Sequence, residues 1–99
     1  MFVHKKGIVK YKIDMFKDIE TDQFVGIAQG IGYSGYGSTI DEAIKNTDIS
    51  MQMALEWYIE NETFEEVLKE CNYESHVEND QIFWKLNNYI GNFESSVAA

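Results

Sequence analysis

The chain of 99 residues lacks arginine and proline altogether and contains only one cysteine and two histidines. The absence of arginine argues against direct nucleic-acid binding, because arginine and lysine make most contacts to phosphates and base edges. A single cysteine, Cys71, excludes an intrachain disulfide and favours a reducing compartment, the cytoplasm. No apolar run approaches the ~20 residues that span a membrane, and the N-terminal segment lacks the apolar core of a signal peptide.

The net charge of −9 is distributed unevenly. Residues 1–17 carry five lysines and one aspartate, whereas residues 18–99 carry three lysines and sixteen acidic residues. Two interpretations remain open: a solvated helix surface that aids solubility, or attraction to a basic partner protein. The length and the 44% hydrophobic content indicate one folded domain. We expect it to span residues 1–93, followed by a disordered tail over 94–99.

Alternating apolar residues predict a three-stranded antiparallel meander in the first part of the chain. Val9, Tyr11, Ile13 and Met15 alternate with polar residues, which indicates a strand over residues 8–16 with one wet face. A charged turn follows, and residues 23–29 indicate a second strand. Residues 33–37 are compatible with a short third strand weakened by glycine.

Two helices are predicted next. Thr39 and Glu42 form a capping box, in which the hydroxyl accepts the amide of the third helical residue. An apolar stripe at helical spacing then continues from Ile40 to about Ile59 and predicts a long helix packed on the sheet. A second capping box, beginning at Thr63, predicts a short helix over 64–71.

The C-terminal segment fits two patterns. Three residues alternate as in a strand: Ile82, Trp84 and Leu86. Six residues follow helical spacing: Ile82, Phe83, Leu86, Tyr89, Ile90 and Phe93. The longer match favours a helix from about 79 to 90 that ends at Gly91. The predicted fold class is therefore α+β: a three-stranded meander followed by a long helix packed on it, then a short helix and a C-terminal amphipathic helix or strand.

Glycines in the turn before the long helix match a nucleotide-binding fingerprint. Gly30, Gly32 and Gly35 have the spacing of the dinucleotide motif. That motif needs a helix whose N-terminal amides begin within the glycine turn. Here the helix cap, Thr39, comes four residues after the last motif glycine. We therefore expect no nucleotide cofactor.

Candidate catalytic and metal-binding residues are few. His4, Cys71 and His76 do not have the paired spacing of a structural zinc site. Asp14 and Glu42 resemble part of a metal-dependent nuclease site, but no further acids converge on them in the sequence pattern. We expect a protein without catalytic residues, metal or cofactor, and a nuclease remains the weaker alternative.

Exposed aromatic residues are the remaining candidates for a binding site. Tyr33 and Tyr36 lie with Ser34 in the glycine turn, where side chains are hard to bury fully. Tyrosine is enriched in the energetic centres of protein interfaces, which predicts a partner-binding patch at Tyr33, Ser34 and Tyr36. The alternative is that the tyrosines simply lie over the sheet.

The stretch from Gly32 to Asn46 resembles the HicB-like family, the antitoxin partners of HicA toxins. Family members show a Gly-x-Thr-x-x-Glu-Ala-x-x-Asn run into a helix, and this chain has the corresponding residues in step. They are Gly32, Gly37, Ser38, Thr39, Glu42, Ala43 and Asn46. Residues 22–25 resemble the family's strand entry, and the match covers about residues 8–60. Ile31 stands where the family usually has proline.

The resemblance implies a degenerate RNase H-like fold without its catalytic acids, in which Gly32, Gly37, Thr39, Glu42, Ala43 and Asn46 set the fold. It also implies a non-catalytic, oligomeric module that masks a basic RNase toxin. Because the segment after residue 60 is short, acidic and free of arginine, we expect a stand-alone module without a DNA-binding extension. The alternative function is a small acidic inhibitor, encoded by a phage or mobile element, of a host defence or nucleic-acid-handling enzyme.

Overall fold

The computed structural model describes residues 1–86 and 93–98. Seven strands and two helices follow one another in this part of the chain. In order they are β1 (Phe2–His4), β2 (Gly7–Val9), β3 (Ile13–Asp18), β4 (Gln23–Ala28), β5 (Ser34–Gly37), α1 (Ile40–Glu60), α2 (Phe64–Glu70), β6 (Tyr73–Glu78) and β7 (Gln81–Leu86).

The predicted fold class is confirmed: β3, β4 and β5 form an antiparallel meander sheet, and the long helix α1 packs on it. The register places Val25 of β4 between Phe16 of β3 and Tyr36 of β5. These three side chains lie on the face of the sheet turned away from α1, because Gly26 and Gly35, in the next row, face the helix.

Glycines on the meander sheet allow the backbone of α1 to lie directly on the strands. A Cβ atom at Gly35 would overlap the backbone nitrogen of Thr47, and one at Gly37 would come within 2.5 Å of the backbone nitrogen of Ala43. Thr47 is fully buried, and its hydroxyl donates to the carbonyl oxygen of Ala43 at 2.7 Å. The glycine-rich turn therefore supplies a contact surface for the helix as well as a change of direction.

The remaining strands form a second, mixed sheet in the order β1-β2-β7-β6. β2 and β7 are parallel, and the other two pairs are antiparallel. The main hydrophobic core lies among this sheet, α1 and α2. Its buried residues are Phe2, Val9, Ala28, Met51, Leu55, Phe64, Leu68, Tyr73 and Trp84.

The prediction of one strand over residues 8–16 was wrong, because the chain changes sheets within it. β2 ends at Val9 and β3 begins at Ile13. The amide of Lys10 donates to the carbonyl oxygen of Trp84 in the mixed sheet, whereas the carbonyl oxygen of Lys12 accepts from Gln29 beside the meander. The alternation of apolar residues continues across the crossover, so the pattern does not reveal it.

The prediction of a C-terminal helix was also wrong for the described residues up to Leu86. A strand, which was the alternative, is observed there. Asn79 and Asp80 have φ angles of +50° and +63° and form the two-residue turn of the β6–β7 hairpin. Trp84 points into the core, where it is 2% exposed. The helix end proposed at Gly91, with Tyr89 and Ile90, lies outside the described residues, and Phe93 is exposed.

Among the described residues, only the Thr39 half of the first capping box forms, and the second capping box does not form. The amide of Glu42 donates to the Thr39 hydroxyl at 3.1 Å, while the Glu42 carboxylate accepts from the Ser38 hydroxyl at 2.9 Å. Thr63 makes no side-chain bond to the first turn of α2, and its hydroxyl lies 3.4 Å from the carbonyl oxygen of Tyr58. The prediction of a Thr63 capping box was therefore wrong. Among the described residues, neither helix combines the length and hydropathy needed to cross a membrane.

Candidate protein-binding surface

An exposed apolar stripe runs along the outer side of α1. Ile49, Met53 and Trp57 are spaced four residues apart and lie on one side of the helix. Their exposed fractions are 46%, 67% and 52%. Because a helix turns by about 100° per residue, these three side chains lie roughly opposite the buried side of α1, which carries Met51. We call Ile49, Met53 and Trp57 the α1 outer stripe.

Carboxylates border the α1 outer stripe. Helical geometry places Glu42, Glu56 and Glu60 beside it. All three are exposed, and Glu56 accepts a bond from Gln52 at 3.2 Å. Lys45 is the single basic residue of α1, and the last turn contains none. The surface thus combines an apolar centre with an acidic border.

The other border of the stripe is the edge strand β5, whose outward carbonyl groups are bound by α1. The side-chain amide of Asn46 donates to the carbonyl oxygen of Tyr36 at 2.6 Å, and the Ser50 hydroxyl donates to that of Ser34 at 2.9 Å. An edge strand with free carbonyls invites pairing with another strand. These two side chains therefore make β5 a poor template for strand addition.

The three residues of the predicted patch, Tyr33, Ser34 and Tyr36, do not share one environment. The hydroxyl groups of Tyr33 and Tyr58 are 2.6 Å apart, which ties Tyr33 to α1. This hydrogen bond, with some burial, raises the pKa of Tyr58 to about 12. Tyr36 lies on the sheet face turned away from α1, where it is 53% exposed, and Ser34 is exposed at the β5 edge. The role of the three residues in partner binding stays a prediction.

The six residues assigned to fold setting lie at the junction of the meander and α1. Gly32 has φ +89° in the β4–β5 turn, where its amide donates to the carbonyl oxygen of Ala28. Ala43 is fully buried against Gly37. The remaining three, Thr39, Glu42 and Asn46, make the cap and edge-strand bonds described above. Each contact is structural, and none needs a ligand.

The glycines of the nucleotide-like motif belong to a β-hairpin. Gly30 has φ +83° and lies, like Gly32, in the turn between β4 and β5. Gly35 follows inside β5 and faces α1. In the first turn of α1, the amide of Glu42 donates to the Thr39 hydroxyl. The geometry therefore differs from a phosphate-binding turn, in which glycines and helix amides surround the anion.

The candidate metal and acid residues lie apart. His4 and His76 are on β1 and β6, the opposite edges of the mixed sheet, and Cys71 follows α2. Burial and the nearby Glu70 raise the pKa of the Cys71 thiol. Asp14 accepts a bond from Gln29 on the sheet face turned away from α1, whereas Glu42 is on α1. In residues 1–86 and 93–98, no three His, Cys, Asp or Glu side chains are grouped closely enough to hold a metal ion.

A wide cleft of about 1080 Å³ opens between the turn of the meander sheet and the mixed sheet. Tyr73 and Trp84 contribute to its lining, and the Tyr73 hydroxyl donates to the carbonyl oxygen of Gln29 at 2.7 Å. Burial raises the pKa of Tyr73 to about 12. Trp84 Nε1 is buried without a partner among the described residues and lies against Gly7. The Cys71 thiol also lines the cleft, and no hydrogen bond among the described residues joins it to a base.

The α1 outer stripe was not predicted as a site. The signal was present, because Ile49, Met53 and Trp57 follow a second four-residue spacing beside the buried one. Comparison of the chain with protein-family models, curated proteins and solved structures found no match.

Proposed function

We propose that the protein is a non-catalytic binding module that masks a basic partner protein with the outer side of α1. The α1 outer stripe is the observation that carries this proposal. Three large apolar side chains stay between about half and two-thirds exposed on the longest element of the chain. Because exposed apolar residues in a row mark interaction sites more often than isolated ones do, the stripe is the best candidate for an interface centre.

The composition of the stripe supports a protein partner. Trp57 is of the residue type most enriched in interface hot spots. Interfaces place such residues at an apolar centre and surround them with a polar border. Glu42, Glu56 and Glu60 supply that border here, and their charge favours a partner with basic groups around an apolar patch.

The overall charge supports the same kind of partner. Residues 18–99 carry sixteen acidic residues against three lysines, so the potential around α1 is negative. Such a field accelerates the association of a basic partner, and salt screens it. The resemblance to HicB-like antitoxins would make the partner a basic RNase toxin. The single cysteine favours the cytoplasm as the compartment in which the two meet.

A capture experiment tests the proposal. The full chain, tagged and immobilised, is incubated with a lysate of its native host at low salt, and bound protein is identified by mass spectrometry. We expect a small basic protein that is released by about 0.5 M salt, where the Debye length falls to roughly 4 Å. Met53→Glu should abolish capture, because it places a carboxylate in the apolar centre.

The matched control is Gln52→Glu, which adds the same charge to the same helix but beside the stripe. This variant should capture the basic protein as the wild type does. Equal capture by Met53→Glu and the wild type, or bound protein that is acidic and insensitive to salt, would exclude the proposed surface.

A further inference from the structure

The open edge of β3 leads to a second inference, independent of the partner surface on α1. We infer that two copies of the chain pair antiparallel along β3, with Met15 of each copy opposite the other. The meander sheets of the two copies then form one six-stranded sheet. The interface is isologous, so it closes with two subunits.

The pattern of hydrogen bonds identifies which backbone groups of β3 are free. The amide of Ala28 donates to the carbonyl oxygen of Tyr33 on the β5 side, and the amide of Gln29 donates to the carbonyl oxygen of Lys12 on the β3 side. In an antiparallel sheet such groups alternate along the strand. The amides and carbonyls of Ile13, Met15 and Lys17 therefore point to the outer edge of β3. No strand of the described chain pairs with that edge.

The other edges are less suited to self-pairing. β5 has its outward carbonyls bound by Asn46 and Ser50 of α1. β1 is only three residues long. β6 carries Glu74 and Glu78 without any lysine, so two copies of it would bring like charges together. β6 matches β3 in length, but of the edges described only β3 combines six residues and free backbone groups with side chains of both charges.

Charge selects one register from three. Centring the pair on Asp14 would place the two Asp14 carboxylates side by side, and centring it on Phe16 would place Asp14 opposite Asp18 of the second copy. The register centred on Met15 instead places Lys12 opposite Asp18 of the second copy. Opposite charges at directly paired positions stabilise a sheet, and like charges destabilise it. Lys12 makes no ion pair within the described part of its own chain.

The same register accounts for an exposed aromatic residue. Phe16 is 55% exposed on the sheet face turned away from α1, next to Val25. In the proposed dimer, Phe16 of one copy is the diagonal neighbour of Phe16 of the other, a distance that aromatic rings can bridge. The pairing therefore covers part of both rings.

Sedimentation velocity of the full chain, from about 1 to 500 μM, tests the inference. The wild type should sediment with twice the chain mass. Lys12→Glu should weaken the dimer at least about 10-fold. It places a carboxylate opposite Asp18 in both of the symmetry-related pairs of the dimer. The double variant Lys12→Glu and Asp18→Lys should restore the wild-type dissociation constant. Lys45→Glu, the same charge change on α1, should leave it unchanged.

Met15→Pro probes the backbone pairing. Proline removes an amide that points to the open edge, so no hydrogen bond within the chain is lost. The variant should be monomeric with an unchanged circular dichroism spectrum. If it fails to fold, the charge exchange between Lys12 and Asp18 still decides the question. A monomeric wild type at 500 μM, or a double variant no stronger than Lys12→Glu, would overturn the inference without affecting binding at α1.

Discussion

The side-chain amide of Asn46, in the middle of α1, donates to the backbone carbonyl oxygen of Tyr36 at a distance of 2.6 Å. This contact joins the long helix to the edge strand β5 and occupies one of its outward acceptors. The helix therefore protects one edge of the meander sheet, while the α1 outer stripe beside that edge remains exposed. The distribution of free surfaces follows from this arrangement: an apolar stripe on α1 and an open edge at β3.

Asn46→Ala should lower the free energy of unfolding by about 1 kcal/mol, because one hydrogen bond between helix and strand is lost. Urea unfolding followed by tryptophan fluorescence measures the change. Gln52→Ala is the control on the same helix, since the Gln52 side chain bonds to the exposed Glu56 on the helix surface rather than to a strand. Equal unfolding midpoints for the two variants would show that the Asn46 bond does not stabilise the fold.

Gly35→Ala should be among the most damaging single substitutions, because a Cβ atom there would overlap the backbone of Thr47. We expect a loss of about 3 kcal/mol, the upper range for overpacking. Gly32→Ala provides the comparison. A Cβ atom at Gly32 would meet no other atom within 4 Å, but the residue has φ +89°. Only backbone strain of about 1 kcal/mol is therefore expected. Chemical denaturation measures the loss of stability in both variants. A larger loss for Gly32→Ala than for Gly35→Ala would refute the close approach of α1 to β5.

The two threonines that precede the helices should differ. Thr39→Ala removes a bond to the Glu42 amide and should cost about 1 kcal/mol. Thr63→Ala should cost clearly less, since Thr63 makes no side-chain cap bond. Thermal unfolding of the two variants, measured side by side, tests the difference. Equal losses of stability would mean that both residues act as caps.

The stability of the protein should fall as the pH rises above about 10. Burial raises the pKa of Tyr73 from 10.0 to about 12, and burial together with Asp48 raises the pKa of Tyr11. Between pH 10 and about 12, the unfolded chain has lost phenolic protons that the folded chain retains. The free energy of unfolding therefore decreases as the pH rises. Well below pH 10 these phenols are protonated in both the folded and the unfolded chain, so they do not make the free energy of unfolding depend on pH.

Urea titrations at pH 9, 10 and 11 measure this slope. Tyr73→Phe removes one of three phenols whose pKa is raised, the others being Tyr11 and Tyr58. It should make the decrease between pH 10 and 11 shallower, although it also removes the bond to Gln29. That loss shifts the whole curve rather than its slope. An unchanged slope in the variant would show that Tyr73 does not couple folding to alkaline pH.

Local signals in the sequence predicted the meander and α1 correctly because the determinants are local. Thr39 and Glu42 mark the helix start, and the bond between them is present. The alternation over 8–16 failed because the crossover from β2 to β3 depends on a parallel strand more than seventy residues away. No local pattern contains that partner.

The C-terminal hairpin shows a different limit. Ile82 and Leu86 satisfy both strand and helix spacing, so the periodicity alone could not decide between them. The deciding signal was the Asn79-Asp80 pair, a turn sequence that adopts positive φ. In α1, the buried apolar spacing likewise concealed the second spacing formed by Met53 and its neighbours on the exposed side.

We propose that the α1 outer stripe binds a basic partner protein. Isothermal titration of the captured partner with Trp57→Ala measures it most directly, with Tyr36→Ala as the control on the opposite face of the sheet. We expect Trp57→Ala to weaken binding at least about 30-fold, because removing a hot-spot residue costs ~2 kcal/mol of binding free energy. Tyr36→Ala should change the affinity less than about threefold. Wild-type affinity for Trp57→Ala, with binding lost in Tyr36→Ala, would contradict the claim and move the site to the predicted tyrosine patch.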